Sequence, residues 1–345
     1  MDKRNTNIEL LRMGLMLAIF IYHIVLHGLD YKHVGLSNFS GGGELLKILI
    51  TTMFAPSTYC FMFISGYYGI KFTIRRFFTL ELWLISASLI VCLLKLILHF
   101  DLPIYEVFYS LLPIGTFKWW FMTYYMLIMI ISPLINQGLK MLSEKQVCVI
   151  LLLLMGYNIM SFFQFREDNG CTFLGLFAIY LLGRYCSSFK IEIGQSTALI
   201  VWGACFFLQL VLMLLCSMMH RVWIFRVLNY NLPFIMGMSV SIFYIVKNIK
   251  SFTSSKLNNL LRPTLFIYLI TDGLYEPFYK WIVELLNDKL QYGIAASIFA
   301  IVFSLCIGHV IIMTTETFII KYEKKLNNKS LKILRRVIYA KKRYF

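Results

Sequence analysis

Apolar runs of bilayer-spanning length recur along the whole chain, and no other feature limits its fold so tightly. A helix needs about 20 mainly apolar residues to cross hydrocarbon roughly 30 Å thick. Ten stretches approach that length: 8–28, 45–70, 77–98, 119–138, 146–164, 172–189, 196–219, 231–246, 261–286 and 291–320. All reach it except the eighth, which is marginal. With 59% hydrophobic and 14% charged residues and a mean hydropathy of +0.73, the 345-residue chain lies far from soluble composition. A soluble globular protein and a disordered one are both excluded. The expectation is an all-α, polytopic bundle of about ten transmembrane helices. Residues 1–320 form one transmembrane domain and 321–345 a cytoplasmic tail.

The net charge of +16 would suggest nucleic acid in a soluble protein. Here the charges flank apolar runs, so they point to membrane lipids and to no nucleic-acid partner. With the N-terminus inside, the inner segments collect most of the Lys and Arg, among them Lys71, Arg75, Arg76, Lys247 and Arg262. The outer loops hold only Lys32, Lys118, Arg166, Arg221, Arg226 and Lys289. That bias predicts N-in and C-in topology. The tail "KSLKILRRVIYAKKRYF" sets Leu331, Leu334, Val337 and Ile338 at helical spacing between basic pairs, as an amphipathic helix on an anionic leaflet does. The eight cysteines sit mostly in apolar runs without CxxC pairs or metal spacing, and imply neither disulfides nor a metal.

Ionisable groups inside membrane helices are costly and mark function. The first run, "IELLRMGLMLAIFIYHIVLHG", carries Glu9, Arg12, His23 and His27. Arg12 and His23 are eleven residues apart, within about 20° of three full turns and about 16 Å along the axis. They form one polar stripe, which should face the protein interior or a wet cavity. Glu9 and Arg12 near the inner end have two readings, a mutual pair that snorkels or a functional site. His23 lies deep in apolar sequence and is the stronger functional candidate. In the ninth run, Asp272 stands beside Gly273 with Glu276 one turn on, facing acceptor hydroxyls or pairing with Lys280.

Three motifs carry a resemblance. Glu9, Leu11, Arg12 and His23, the last eleven residues after the arginine, resemble the first helix of the membrane-bound acyltransferase-3 family. "FISGYYG", with Phe63, Ser65, Gly66 and Tyr67, is similar to the end of the family's second helix. "WWFMTYYMLIMIISPLIN", with Trp120, Phe121, Thr123, Tyr125, Ser132, Pro133 and Asn136, is similar to polysaccharide-acylating members. One departure stands out: many relatives have "IYLIH" where this chain has "IYLITDG", with Thr271 at the histidine position.

The resemblance implies an O-acyltransferase of a bacterial cytoplasmic membrane. It would move an acyl group, usually acetyl, from cytoplasmic acyl-CoA to a sugar hydroxyl of a surface or lipid-linked polysaccharide. Acyl-CoA is then a donor substrate and no cofactor is permanently bound. Such a transfer needs a base for the hydroxyl proton and positive charge or donors at the thioester oxygen. His23 is the natural base. Arg12 and Glu9 would line the entry of the CoA arm, and Arg75 and Arg76 would meet its phosphates, although plain positive-inside charge accounts for those two equally well. Tyr67, Trp120, Tyr125 and Asp272 are the candidate substrate contacts. Ser65 is disfavoured as a nucleophile, since no base is near it in sequence. His99, His220 and His309 read as structural. The loop "SNFSGGGE" has the flexibility of a lid or of a plain connector. Two rival classes are a glycan or lipid transporter, for which internal pseudo-symmetry is expected and not found, and a polysaccharide polymerase, for which a large outer loop is expected.

Overall fold

In hydrocarbon every backbone N–H and C=O must find a partner within the chain, and an α-helix does this locally. The protein is described by a computed structural model covering residues 5–29, 42–160, 170–218 and 227–326, and every regular element among the described residues is helical. Helix α1 (Thr6–His23) continues into one π-helical turn (Ile24–Gly28). Then follow α2 (Gly42–Phe54), α3 (Ser57–Tyr68), α4 (Ile74–Ile97), α5 (Ile104–Tyr109), α6 (Trp120–Met141) and α7 (Glu144–Ile159). The second half holds α8 (Phe173–Ser188), α9 (Gln195–Met218), α10 (Pro233–Lys247), α11 (Ser255–Leu260), α12 (Leu265–Leu274), α13 (Glu276–Asp288) and α14 (Leu290–Leu326). Polar caps fix several starts. Asn5 accepts from the Asn7 N–H at 3.0 Å, and Ser143 and Gln146 form a reciprocal capping box.

Among the described residues six spans are long and apolar enough to cross a membrane: Thr6–Gly28, Gly43–Tyr68, Ile74–Ile97, Trp120–Met141, Gln195–Met218 and Leu290–Lys321. The apolar helices α8 and α10 are shorter, at 16 and 15 residues. The run expected as one helix over 261–286 is divided. Tyr275 adopts a left-handed φ of 58° between α12 and α13, and Pro277 lies in the first turn of α13, where a missing N–H is harmless. Pro133 behaves differently inside α6. The carbonyl it leaves without a backbone donor, that of Met129, accepts from the Ser132 hydroxyl at 2.8 Å, and the helix runs through. Ser132 and Pro133 thus work as a pair. Asn136 of the same motif donates to the Ile70 carbonyl at 3.4 Å, tying α6 to the end of α3. Of the loop read from sequence as a lid, 37–44, residues 42–44 belong to α2 and the rest lie outside the described residues. Of the tail 321–345, residues 321–326 continue α14, and the stretch read as a surface helix lies outside the described residues.

Helix α3 packs most closely on α8 because glycines let the two backbones meet. A Cβ at Gly66 would collide with the Tyr180 carbonyl, and one at Gly183 with that of Phe63. Helix α1 is surrounded by α2, α3, α10 and α12, while α13 covers its π turn. The outward faces of α9 and α14 are apolar, with Ile200, Phe207, Ile298 and Phe299 exposed, as a lipid-facing surface requires. At one end of the bundle, Thr6 donates its N–H to the Phe252 carbonyl at 3.0 Å, and Arg262 pairs with Glu316. The start of α1, the start of α12 and the late turns of α14 therefore share one end.

Candidate active site

His23 is the last α-helical residue of α1, a π turn follows it, and α12 and α13 pack against this end of the helix. Such turns insert a residue into the helix and recur at functional sites. Gly28 closes this turn against α13 so tightly that a Cβ there would lie 2.7 Å from the Tyr279 carbonyl oxygen. The imidazole Nδ1 stands 3.2 Å from Asp272 Oδ1 and 3.3 Å from the Tyr279 hydroxyl, with His23 and Asp272 side chains only 14% and 12% exposed. Tyr279 donates to Thr271 Oγ1 at 3.3 Å, and Thr271 donates to the Ile267 carbonyl at 2.7 Å.

Thr271 gives its hydrogen to the backbone and Tyr279 gives its own to Thr271, which leaves the Tyr279 oxygen and the Asp272 carboxylate to accept. A hydrogen on Nδ1 serves both, and in that tautomer Nε2 is the basic nitrogen of the neutral ring. Tyr268, one turn before Asp272, lies alongside the carboxylate short of hydrogen-bond geometry. His27 packs edge-on to His23 at 5.2 Å between centroids, and on Tyr275 at 4.8 Å.

His23 stands where two cavities meet. One is narrow, aromatic and apolar, lined by Met16, Ile19, Phe61, Phe121 and Tyr268. The other is much larger and more polar, lined by His27, Lys95, Glu106, Lys118, Asp272 and Tyr275. Trp120 and Tyr230 border both. The polar vestibule opens at the end of the bundle where α1 and α4 finish and α6 begins.

The structure brings together only part of the residue set read from sequence. His23, Asp272 and Trp120 share the vestibule. Asp272 faces His23; Lys280, its suggested partner, instead pairs with Glu276. Arg12 Nη1 pairs with Glu9 Oε1 at 2.9 Å, one turn beyond Met16 at the far end of the apolar chamber. Its Nε has no hydrogen-bond partner among the described residues. Tyr67 lines neither cavity. It packs on Phe243 at 4.7 Å and beneath Lys247 at 5.2 Å, beside the Tyr68 that neighbours Arg12. Tyr125 packs on Phe121, also outside both cavities. Arg75 and Arg76 are exposed at the start of α4, with Arg75 in the field of Glu316. Ser65 spends its hydroxyl on the Phe61 carbonyl at 3.1 Å. Sequence reasoning missed Tyr279, Tyr268, Lys95 and Glu106. A count of ionisable groups within spans would have flagged Lys95, whereas the two tyrosines carry no local signal.

A half-buried His–Asp contact thus lies between an apolar chamber and a polar vestibule, in a bundle whose described helices include six long and apolar enough to cross a membrane. Residues 5–313 match the acyltransferase-3 family model, described as an acyltransferase domain, and the chain belongs to that family. Neither the curated proteins nor the solved structures include a match to the chain. Family and apolar helices together fit a membrane acyltransferase.

Proposed function

We propose that the protein is an O-acyltransferase of a bacterial cytoplasmic membrane that moves acetyl from cytoplasmic acetyl-CoA to a sugar hydroxyl of a surface or lipid-linked polysaccharide. The observation that carries this reading is the His23–Asp272 contact at the junction of the two cavities. An acceptor hydroxyl in the polar vestibule gives its proton to His23 Nε2 as its oxygen attacks the thioester carbonyl. The C–S bond breaks, and the imidazolium returns the proton to the departing thiolate. Asp272 holds the ring in the basic tautomer and stabilises the imidazolium, and Tyr279 fixes its rotation.

The apolar chamber suits the thioester end of the donor arm. Arg12 is about 16 Å from His23 along α1, too far to meet a developing oxyanion there. It belongs to the donor's entry, with Lys247 and the exposed Arg75 and Arg76 as further cations for the CoA phosphates. Ten crossings, with the shorter helices counted as spans, and N-in, C-in topology agree with the charge bias and with the shared end of α1 and α14.

The test is the O-acetyl signal, by proton NMR, of surface polysaccharide from a deletion strain. The strain is complemented with the natural protein or with His23→Ala at equal membrane abundance. Acetyl restored by the first and not by the second is expected. Restoration by both removes His23 from the chemistry, and no change in acylation on deletion sinks the polysaccharide acceptor.

A further inference from the structure

Lys95, Glu106 and Lys118 come from three different elements and meet in the vestibule that His23 and Asp272 also line. Lys95, in the last turn of α4, takes both oxygens of Glu106 in α5, at 2.7 and 2.9 Å. That carboxylate is thereby matched. Lys118 approaches the same Oε1 only to 3.8 Å, and its one hydrogen-bonding partner among the described residues is Ser110 Oγ at 3.4 Å. An ammonium has three donors to place, so two cations share one anion and Lys118 is under-supplied.

The lysine is nevertheless well buried, with 11% of its side chain exposed, and burial pushes its pKa below the ordinary lysine range. The backbone holds it there. Phe117 is in the left-handed region at φ 54°, and the Lys118 N–H donates to the Pro113 carbonyl at 3.1 Å. Among the other ionisable lining groups, Asp272 is engaged by His23, and His27 is stacked among aromatics. Lys118 therefore shares its carboxylate, Glu106, with the closer Lys95, and otherwise lies over the Trp119 ring at 5.5 Å.

Resting on the acyltransferase reading, we propose that the acceptor is an anionic glycan, and that Lys118, supported by Lys95, binds a carboxylate or phosphate of the sugar chain while a nearby hydroxyl reaches His23. A neutral sugar offers the ammonium only hydroxyl acceptors, whereas an anion completes its donor set with stronger, charge-assisted bonds.

The experiment uses the full chain in phosphatidylcholine nanodiscs with acetyl-CoA. Three acceptors are compared: galacturonate oligomers, glycerol-phosphate oligomers and neutral galactose oligomers. Thiol release from acetyl-CoA, and its loss in His23→Ala, tests acyl transfer independently of the acceptor. At least one anionic oligomer should be acetylated with a KM about tenfold or more below that of the neutral one. Lys118→Met should raise that KM by about tenfold, with most of the loss in KM rather than kcat, and Lys118→Arg should restore it. Glu106→Gln, which adds net positive charge, should lower it, a change opposite in sign to that of a misfolded variant.

Four results overturn the proposal while leaving acyl transfer intact. These are equal use of the neutral oligomer, thiol release with no acetylation of either anionic oligomer, a Lys118→Met enzyme with unchanged KM, and a Lys118 effect seen only after adding phosphatidylglycerol, which would assign the cation to a lipid headgroup. Absence of His23-dependent thiol release overturns both readings together.

Discussion

Helix α1 carries two acid–base pairs, and they are built in different ways. At one end Arg12 pairs with Glu9 at i, i+3 within the same helix, at 2.9 Å. At the other, His23 meets Asp272 across the bundle at 3.2 Å, 249 positions later in the chain. The first pair needs only the helix to exist. The second needs α1, its π turn, α12 and α13 to be docked together, with Gly28 against the Tyr279 carbonyl. A local pair supplies charge, whereas a tertiary pair also fixes ring orientation and tautomer, which is what a base requires.

This contrast can be broken experimentally. Asp272→Asn should cost about 10²–10⁴-fold in kcat at normal membrane abundance, since losing the carboxylate disturbs the tautomer while leaving the volume intact. An activity within a few-fold of the natural protein would show that the tertiary pair is only structural. Gly28→Leu drives a side chain into Tyr279 and Val283, and should destabilise the protein by about 1–3 kcal/mol. Thermal unfolding in detergent and acyl transfer should fall together. Tyr279→Phe removes two neutral hydrogen bonds at 3.3 Å, to His23 and to Thr271. The one that orients the imidazole is worth about 1 kcal/mol, so a loss of about fivefold in rate is expected. Glu9→Gln sharpens the other side of the comparison. Arg12 keeps its charge and loses only a local partner, so kcat should change less than about threefold and any effect should appear in the KM for acyl-CoA. A Glu9→Gln loss as large as that of Asp272→Asn would erase the distinction.

Much of the architecture was legible as hydropathy. The runs containing α1, α4, α6, α9 and α14 announced themselves because twenty apolar residues have few alternatives to a helix in lipid. The divisions within 45–70 and 261–286 were less legible. Pro56 and Pro277 mark them, yet Pro133 marks no break, because Ser132 supplies the missing donor to Met129. A proline in a membrane helix acquires its meaning from its neighbours. At the site, His23 and Arg12 stood out by being polar in apolar sequence. Asp272 stood out likewise, but its partner did not, since Lys280 was closer in sequence and His23 far. Tyr279 was invisible for the same reason.

What the sequence by itself determined is the membrane-length helical character, the polar stripe of α1 and the family to which the chain belongs. Each follows from local composition and spacing, because the bilayer rewards apolar length and penalises unpartnered polarity residue by residue. Only the tertiary structure decided which groups face one another. It set His23 against Asp272, gave Thr271 the task of holding Tyr279, and gathered Lys95, Glu106 and Lys118 in one vestibule. Those contacts depend on the rotation and docking of helices far apart in the chain, which close packing at glycines such as Gly28, Gly66 and Gly183 selects and no single segment encodes.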